Sequence, residues 1–419
     1  MKSFPLGVVI VAEHASTQYG GEAFLPLSYF LGLRSRQIDA WLVVHSRTKD
    51  ELQNLFPQEK ERIIFIEDTG LHQLLWRMQR LLPTKVGEVT FSLVSKMFTQ
   101  LIQRDVVCQL ISQYEINVIH QAIPVAPRYP SLIFGLDKPV IIGPLNGNIN
   151  FPPAFRASQN YLSSLVISLG RFFSEFVHQI LPGKLKAQVL LVANERTRQA
   201  LPKKVQGKII KLVENAVDLS LWQPIAHKTT EAKETVKFVF MGRLVKWKGV
   251  DLLLEAFSLV RTQVIAQLQI IGDGDCKQQL EARAVRLGLA NQVVFSGWLS
   301  QSQCILMLHS ADILVHPSLR ECGGAVVLEA MAVGLPVIVT DWGGPAEYVN
   351  SFCGFLIKPS SRKDLVGGFA QAMLKLAKDS RLRQKMGRAG QERVRRFFSR
   401  EVQIDQLIKI YQWAATNSC

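Results

Sequence analysis

Following the apolar run Val236–Met241, the chain reads Gly242-Arg243-Leu244-Val245-Lys246-Trp247-Lys248-Gly249. Glycine lets the backbone turn tightly there, and Arg243 and Lys248 bring two cations to the end of a candidate strand. A planar guanidinium that can hold two oxygens, beside a mobile ammonium, suits a diphosphate. A solvated basic turn would have the same composition. Further along, Ile313–His316 leads into Pro317-Ser318-Leu319-Arg320-Glu321-Cys322-Gly323-Gly324 and then the apolar stretch Ala325–Ala332. Gly323 and Gly324, followed by Ala325, put backbone N–H groups at a helix N-terminus, which is a ready anion site. Glu329 is a carboxylate among apolar neighbours in that helix, and such a group needs hydrogen-bond donors if it is buried. Sugar hydroxyls or a structural Arg would serve. Glu321 precedes the same helix and could reach the same place.

The elements that must position these residues read as alternating strands and helices. In the first half, short apolar, β-branched runs fall at Gly7–Ala12, Ala40–His45, Arg62–Ile66, Asn117–His120, Pro139–Gly143, Gln188–Ala193 and Lys208–Val213. In the second half they fall at Val236–Met241, Gln267–Ile271, Gln292–Ser296, Ile313–His316, Pro336–Thr340 and Gly354–Ile357. Helical patterns separate them, among them Glu22–Leu33, Phe91–Tyr114, Gly249–Arg261 and Ala325–Val333. Near-continuous apolar strands between helices predict parallel sheets covered on both faces. Two such runs predict an α/β chain of two doubly wound, Rossmann-like domains facing a central cleft. The boundary falls in the polar stretch Asp218–Glu234, giving a first domain over 1–218 and a second over 219–399.

Composition narrows the partners. The 49 Lys and Arg against 34 Asp and Glu leave a formal charge of +15. Such an excess points to nucleic acid, an anionic membrane surface or a phosphate-bearing substrate. The arginines between Arg381 and Arg400 come with no aromatic stacking platform or recognition-helix motif, so nucleic acid is not expected. No apolar run approaches the roughly 18 residues that span a bilayer. An anionic membrane remains open, because Phe155–Leu185 has helical apolar spacing with a basic fringe; an ordinary core-facing helix would look the same. The six cysteines are scattered without a C-x-x-C pair, which suggests a reducing cytoplasm and neither disulfides nor zinc. The N-terminal apolar stretch reads as a first buried strand rather than a signal peptide, since Glu13 and His14 follow at once.

Taken together, Gly242-Arg243, Lys248-Gly249, Gly272-Asp273-Gly274, Glu321 with Glu329, Gly334-Leu335-Pro336-Val337 and Asp341–Glu347 resemble a family 4 glycosyltransferase (glycosyl transferases group 1) of the GT-B type. The resemblance is strong over about 236–350. Cys322 and Gly324 depart from the commoner Glu-Gly-Phe-Gly start of the motif. The first half matches more weakly, at Gly20-Gly21-Glu22, at His120, at Gly143–Asn148 and at Glu214–Asp218, where Ala216 replaces a glycine.

The resemblance implies a retaining transfer of a sugar from a nucleotide-diphosphate sugar to a glycan, lipid-linked or small-molecule acceptor, in cell-envelope or exopolysaccharide synthesis. It implies no metal or other cofactor. Asp273-Gly274-Asp275, which has a metal-binding spacing of another fold, is expected to be a turn. Arg243 and Lys248 would stabilise the diphosphate, together with Gly242, Gly272, Gly323, Gly324 and Ala325. Glu321 would orient the donor sugar without affecting free-nucleotide affinity, and Glu329 would accept from the ribose. Gly20 and Gly21 would approach phosphate or acceptor, and His120 would face the sugar. A terminal helix over about 400–419 would cross back onto the first domain. The protein would act in the cytoplasm, peripherally at the inner face of the plasma membrane. An epimerase or phosphorylase of the same fold, and a non-catalytic scaffold in polysaccharide assembly, are the competing readings.

Overall fold

The computed structural model describes residues 6–81, 84–158, 174–224 and 235–417. The chain divides into two compact units. Unit 1 holds the chain up to Asn148, the segment ending at Glu214, and everything from Gln403. Unit 2 begins with a short stretch from Ile149 and continues as Asn215–Val402.

Unit 1 is built on seven strands: β1 (Gly7–Val11), β2 (Asp39–His45), β3 (Ile63–Ile66), β4 (Val118–Gln121), β5 (Val140–Leu145), β6 (Val189–Val192) and β7 (Lys208–Lys211). Their order is 3-2-1-4-5-6-7, and every pairing is parallel. Val8 to Val11 are buried throughout, as a strand covered on both faces requires. Four helices on the N-terminal side matter below: α1 (Gly21–Ser35), α2 (Lys49–Leu55), α3 (Gly70–Leu81) and α4 (Thr84–Gln113).

Unit 2 repeats the plan with β8 (Val236–Met241), β9 (Ala266–Ile271), β10 (Val293–Gly297), β11 (Ile313–His316), β12 (Val337–Thr340) and β13 (Gly354–Ile357), in the order 10-9-8-11-12-13. All its pairings are parallel as well. Its core joins Phe238, Phe240 and Leu268 to Leu253 and Phe257 of the helix Val250–Val260, and to Phe369 and Met373 of the helix Arg362–Lys378. The sequence predicts two doubly wound sheets, and the strands lie where the apolar runs place them.

The last helix, Arg400–Thr416, has Ile404, Leu407, Tyr411 and Ala414 on one face. All four are buried in the unit 1 core beside Leu33 and Leu42. Gln403 ties its start to that unit by donating to the carbonyls of Val213 and Glu214, at 2.6 and 3.0 Å. Among the described residues no helix is long and apolar enough to cross a membrane. About half of the amphipathic reading of Phe155–Leu185 falls on 159–173, outside the described residues; at its ends Phe155 packs on the unit 2 core, whereas Phe176 and Ile180 are exposed.

Tyr411 also donates to Nδ1 of His120 at 2.6 Å in the middle of unit 1. Tyr411→Phe leaves that buried nitrogen without its donor, which costs about 1–3 kcal/mol. The variant should therefore show an earlier midpoint in the denaturant transition that releases the C-terminal helix. An unchanged midpoint would mean that Tyr411 contributes packing alone.

Candidate active site

In a doubly wound sheet, ligands gather beyond the carboxyl ends of the strands where the order reverses. In unit 2 that point lies between β8 and β11, which are hydrogen-bonded neighbours. The segment after β8 carries Gly242, Arg243 and Lys248, and the segment after β11 carries Glu321 to Gly324.

These two segments are fastened to each other through the backbone. Leu319 donates its N–H to the Trp247 carbonyl at 2.8 Å. Gly249 sits at φ 69° with the space of a side chain already taken by the Pro317 carbonyl, so only glycine allows this approach. Beside them, Gly272 at the end of β9 has its Cβ position filled by the carbonyl of Gly242. A third segment holds Glu321 from behind, through the Gly344 N–H donating to the Glu321 carbonyl at 2.9 Å. Gly324 caps the helix Ala325–Ala332, so Gly323, Gly324 and Ala325 lie at its N-terminus.

The side chains gathered here form a charged cluster. Lys248 Nζ is in direct contact with Glu321 Oε2. His316, the last residue of β11, places Nε2 at 3.4 Å from the same oxygen. Its ring lies parallel to that of Phe240, with centroids 5.8 Å apart. Burial alone would raise the Glu321 pKa; His316 and the Lys248 ammonium more than offset it and bring it down to about 2. His316 is itself buried, and this desolvation lowers its pKa despite the neighbouring carboxylate. The cluster is thus an ammonium and a carboxylate neutralising each other, steadied by a neutral imidazole. His316 was not among the residues the sequence singled out.

Arg243 differs from Lys248. Its side chain is exposed, and among the described residues no hydrogen bond or ion pair holds its guanidinium. Glu329 is partly buried in its helix, and among the described residues nothing donates to its carboxylate. Burial raises its pKa to about 7 and helps hold up that of the Cys304 thiol. Asp273 is exposed, accepts from the Gly274 N–H at 2.7 Å and lies 3.4 Å from Lys277, which makes it a turn residue.

The first-half candidates lie in unit 1. Gly20 caps α1 at φ 92°, Gly21 is its first residue, and nothing crowds either. His120 requires a correction. It is 0% exposed, and both ring nitrogens are in use. Nε2 must donate to the Gly143 carbonyl, at 2.5 Å, because a carbonyl only accepts; Nδ1 then accepts from Tyr411. Burial lowers its pKa to about 4, against the opposing effect of the Gly143 bond. It is a core residue bonded to Gly143 within β5, with no ring nitrogen left over for a sugar. In the loop after β5 Asn146 is buried and accepts from Asn194 at 3.2 Å, which a strand-end position alone did not reveal.

Residues 223–393 match the family described as "Glycosyl transferases group 1". The lipopolysaccharide core biosynthesis glycosyltransferase LpsE of Rhizobium meliloti is 31% identical over 170 residues, which cover 41% of this chain and 48% of that protein. The chain thus spans about half the length of that curated relative. A glycosyltransferase of Rickettsia africae shares the fold with a TM-score of 0.68 at 17% identity, over 99% of this chain and 100% of that one. The Anabaena protein HepE, solved with UDP, does so at 0.64 and 17%, over 97% and 100%.

The raised pKa of Glu329 has a consequence for stability. A carboxyl that ionises near pH 7 when folded and near its ordinary 4.5 when unfolded destabilises the fold progressively as pH rises between those values. Glu329→Gln should match the natural protein in thermal midpoint near pH 5 and exceed it increasingly towards pH 8. A gap that stays constant over this range would show an ordinary carboxylate. Residues 223–393 match glycosyl transferases group 1, the segments that follow β8 and β11 lie within that matched stretch, and the chain has a GT-B fold.

Proposed function

We propose that this protein transfers a glycosyl residue from a nucleotide-diphosphate sugar to an acceptor, with retention of configuration. The observation that supports the reading is the joining of the β8 and β11 loops, which brings Lys248 to Glu321 just ahead of a helix N-terminus at the sheet's switch. The match to group 1 glycosyltransferases and the UDP complex of HepE support a nucleotide sugar as donor.

In this reading Arg243 meets the diphosphate with a free guanidinium and gives bidentate contacts. Lys248 joins it by exchanging Glu321 for phosphate oxygen. The N–H groups from Gly323 to Ala325 add the positive end of a helix dipole, so charge that builds on the leaving phosphate is met by fixed donors. Glu321, released from the ammonium, accepts from the sugar hydroxyls. Glu329 accepts from the ribose in its ionised form. Gly242 and Gly272 keep the backbone low enough for the diphosphate to approach, and Gly20 and Gly21 offer N–H groups at the start of α1. His120 acts as a positioning residue for the second half of β5. Attack comes from the face the diphosphate leaves, with the leaving phosphate accepting the acceptor's proton.

Cationic side chains and a helix terminus do the work that a metal does elsewhere, so we assign no cofactor. The name of LpsE favours a role in cell-envelope glycan synthesis, and we place the protein at the inner face of the plasma membrane. The charge of +15 suits that anionic surface.

Purified protein incubated with nucleotide sugars and candidate acceptors should release nucleoside diphosphate and form product in excess EDTA. Lys248→Ala should lower kcat by about 10²–10³-fold, the usual effect of removing one preorganised group from the site of developing charge. Activity abolished by EDTA and restored by Mg²⁺ or Mn²⁺ would contradict the metal-free assignment and return Asp273 and Asp275 to consideration.

A further inference from the structure

His316 ends β11, is 1% exposed, and makes no hydrogen bond through either ring nitrogen among the described residues. Buried polar atoms are nearly always bonded, so two idle nitrogens in one ring point to a group kept for function. Its Nε2 lies 3.4 Å from Glu321 Oε2, beyond the roughly 2.7–2.9 Å of a charge-assisted hydrogen bond. Lys248 already holds that oxygen. The other carboxylate oxygen, Oε1, has no donor among the described residues.

The surroundings fix what can change the charge on this ring. Two charged groups act on it: Lys248, from the loop after β8, and Glu321, from the loop after β11. The neighbouring strands add none. On one side β8 lays the Phe240 ring parallel to it at 5.8 Å, and on the other β12 sets Val339 beside it in register. Burial and the Lys248 ammonium oppose a proton on the imidazole, while the Glu321 carboxylate favours one. In the ion pair the ammonium balances the carboxylate, and the ring stays neutral.

Exchange of Lys248 onto a diphosphate inverts that balance. The ammonium is then neutralised by phosphate, and Glu321 becomes a buried carboxylate facing a neutral ring. A proton arriving there goes to the stronger base, which is the imidazole, at about 6.5 against about 4.3 for a glutamate carboxyl in ordinary surroundings. The resulting imidazolium makes both ring nitrogens donors, and Phe240 offers it an aromatic face within about 6 Å.

We propose that His316 is the residue that positions Glu321 during transfer. As the diphosphate draws Lys248 away, the imidazole takes one proton from solvent and the imidazolium holds Oε2, which leaves Oε1 for the hydroxyls of the donor sugar. The inference rests on the glycosyl-transfer reading and adds to it a proton that enters with the donor. Glu329 moves in the opposite sense, because a ribose favours its ionised form, so His316 has to be isolated by substitution.

Two measurements on the full chain test this. In the first, NMR follows the His316 ring signal against pH, assigned by its loss in His316→Asn. Lys248→Met removes the ammonium without any ligand, and in that variant His316 should become protonated at a higher pH than in the natural protein. In Lys248→Met/Glu321→Gln the rise should disappear. A ring that titrates at the same pH in the natural protein and in Lys248→Met would overturn the proposal. In the second, calorimetry in buffers of different ionisation enthalpy counts the protons that enter with UDP, GDP or ADP. The natural protein should take up more protons on binding than His316→Asn does. Its affinity should also weaken more steeply as pH rises through neutrality, since the bound form holds the extra proton and loses it there. Equal counts in the two proteins would overturn the proposal as well. Failure of the natural protein to bind any of the three nucleotides would overturn the glycosyl-transfer reading and the positioning role with it, while a higher titration in Lys248→Met would still stand as a property of the three side chains.

Discussion

The site at the switch point of unit 2 depends on one ion pair. Lys248 and Glu321 reach each other from the ends of two neighbouring strands, and His316 closes the third side. A lone buried carboxylate would be protonated or would force its surroundings to open. Paired, Glu321 stays ionised at any working pH, and it does so beside the ammonium that a phosphate would need. The pair also sets a limit: whatever anion binds Lys248 has to compete with Glu321 for it. On the proposed reading, binding of a diphosphate and release of Glu321 towards a sugar are two sides of one exchange.

The backbone makes this exchange local. The glycine at 249 lets the β8 loop lie against the β11 loop, and the Gly344 N–H holds the Glu321 main chain while its side chain changes partner. Such anchoring keeps a released carboxylate within reach of the same point. Glu329 follows a different rule. With nothing donating to it among the described residues, it sits near neutral pH between its charged and uncharged forms, and a ribose would supply the donors that favour the charged form.

Two histidines show what was legible in the sequence and what was not. His120 and His316 both lie at or near the end of a short apolar strand, and by local pattern they are equivalent. The one taken as catalytic is a core residue, bonded by a tyrosine 291 positions away. The one passed over touches the ion pair. Only the packing of distant segments separates them, and no local spacing encodes that. The strands were readable because burial on both faces demands continuous β-branched runs. The donor loop was readable because glycines and cations at a strand end have few other uses. Helix α3 was not, since its exposed Leu71, Leu74 and Met78 mimic a core-facing stripe while facing solvent. The Glu321 assignment also changed. In the reading proposed here, contact with Lys248 couples it to whatever anion that ammonium binds.

That contact offers the most direct test. Calorimetric titration of a nucleoside diphosphate into the natural protein and into Glu321→Gln, at one pH and salt, reads the competition itself. If Glu321 and the diphosphate share Lys248, removing the carboxylate charge should tighten binding by roughly three- to tenfold, the scale of about one favourable charge contact near the surface. Equal or weaker binding by Glu321→Gln would contradict the exchange.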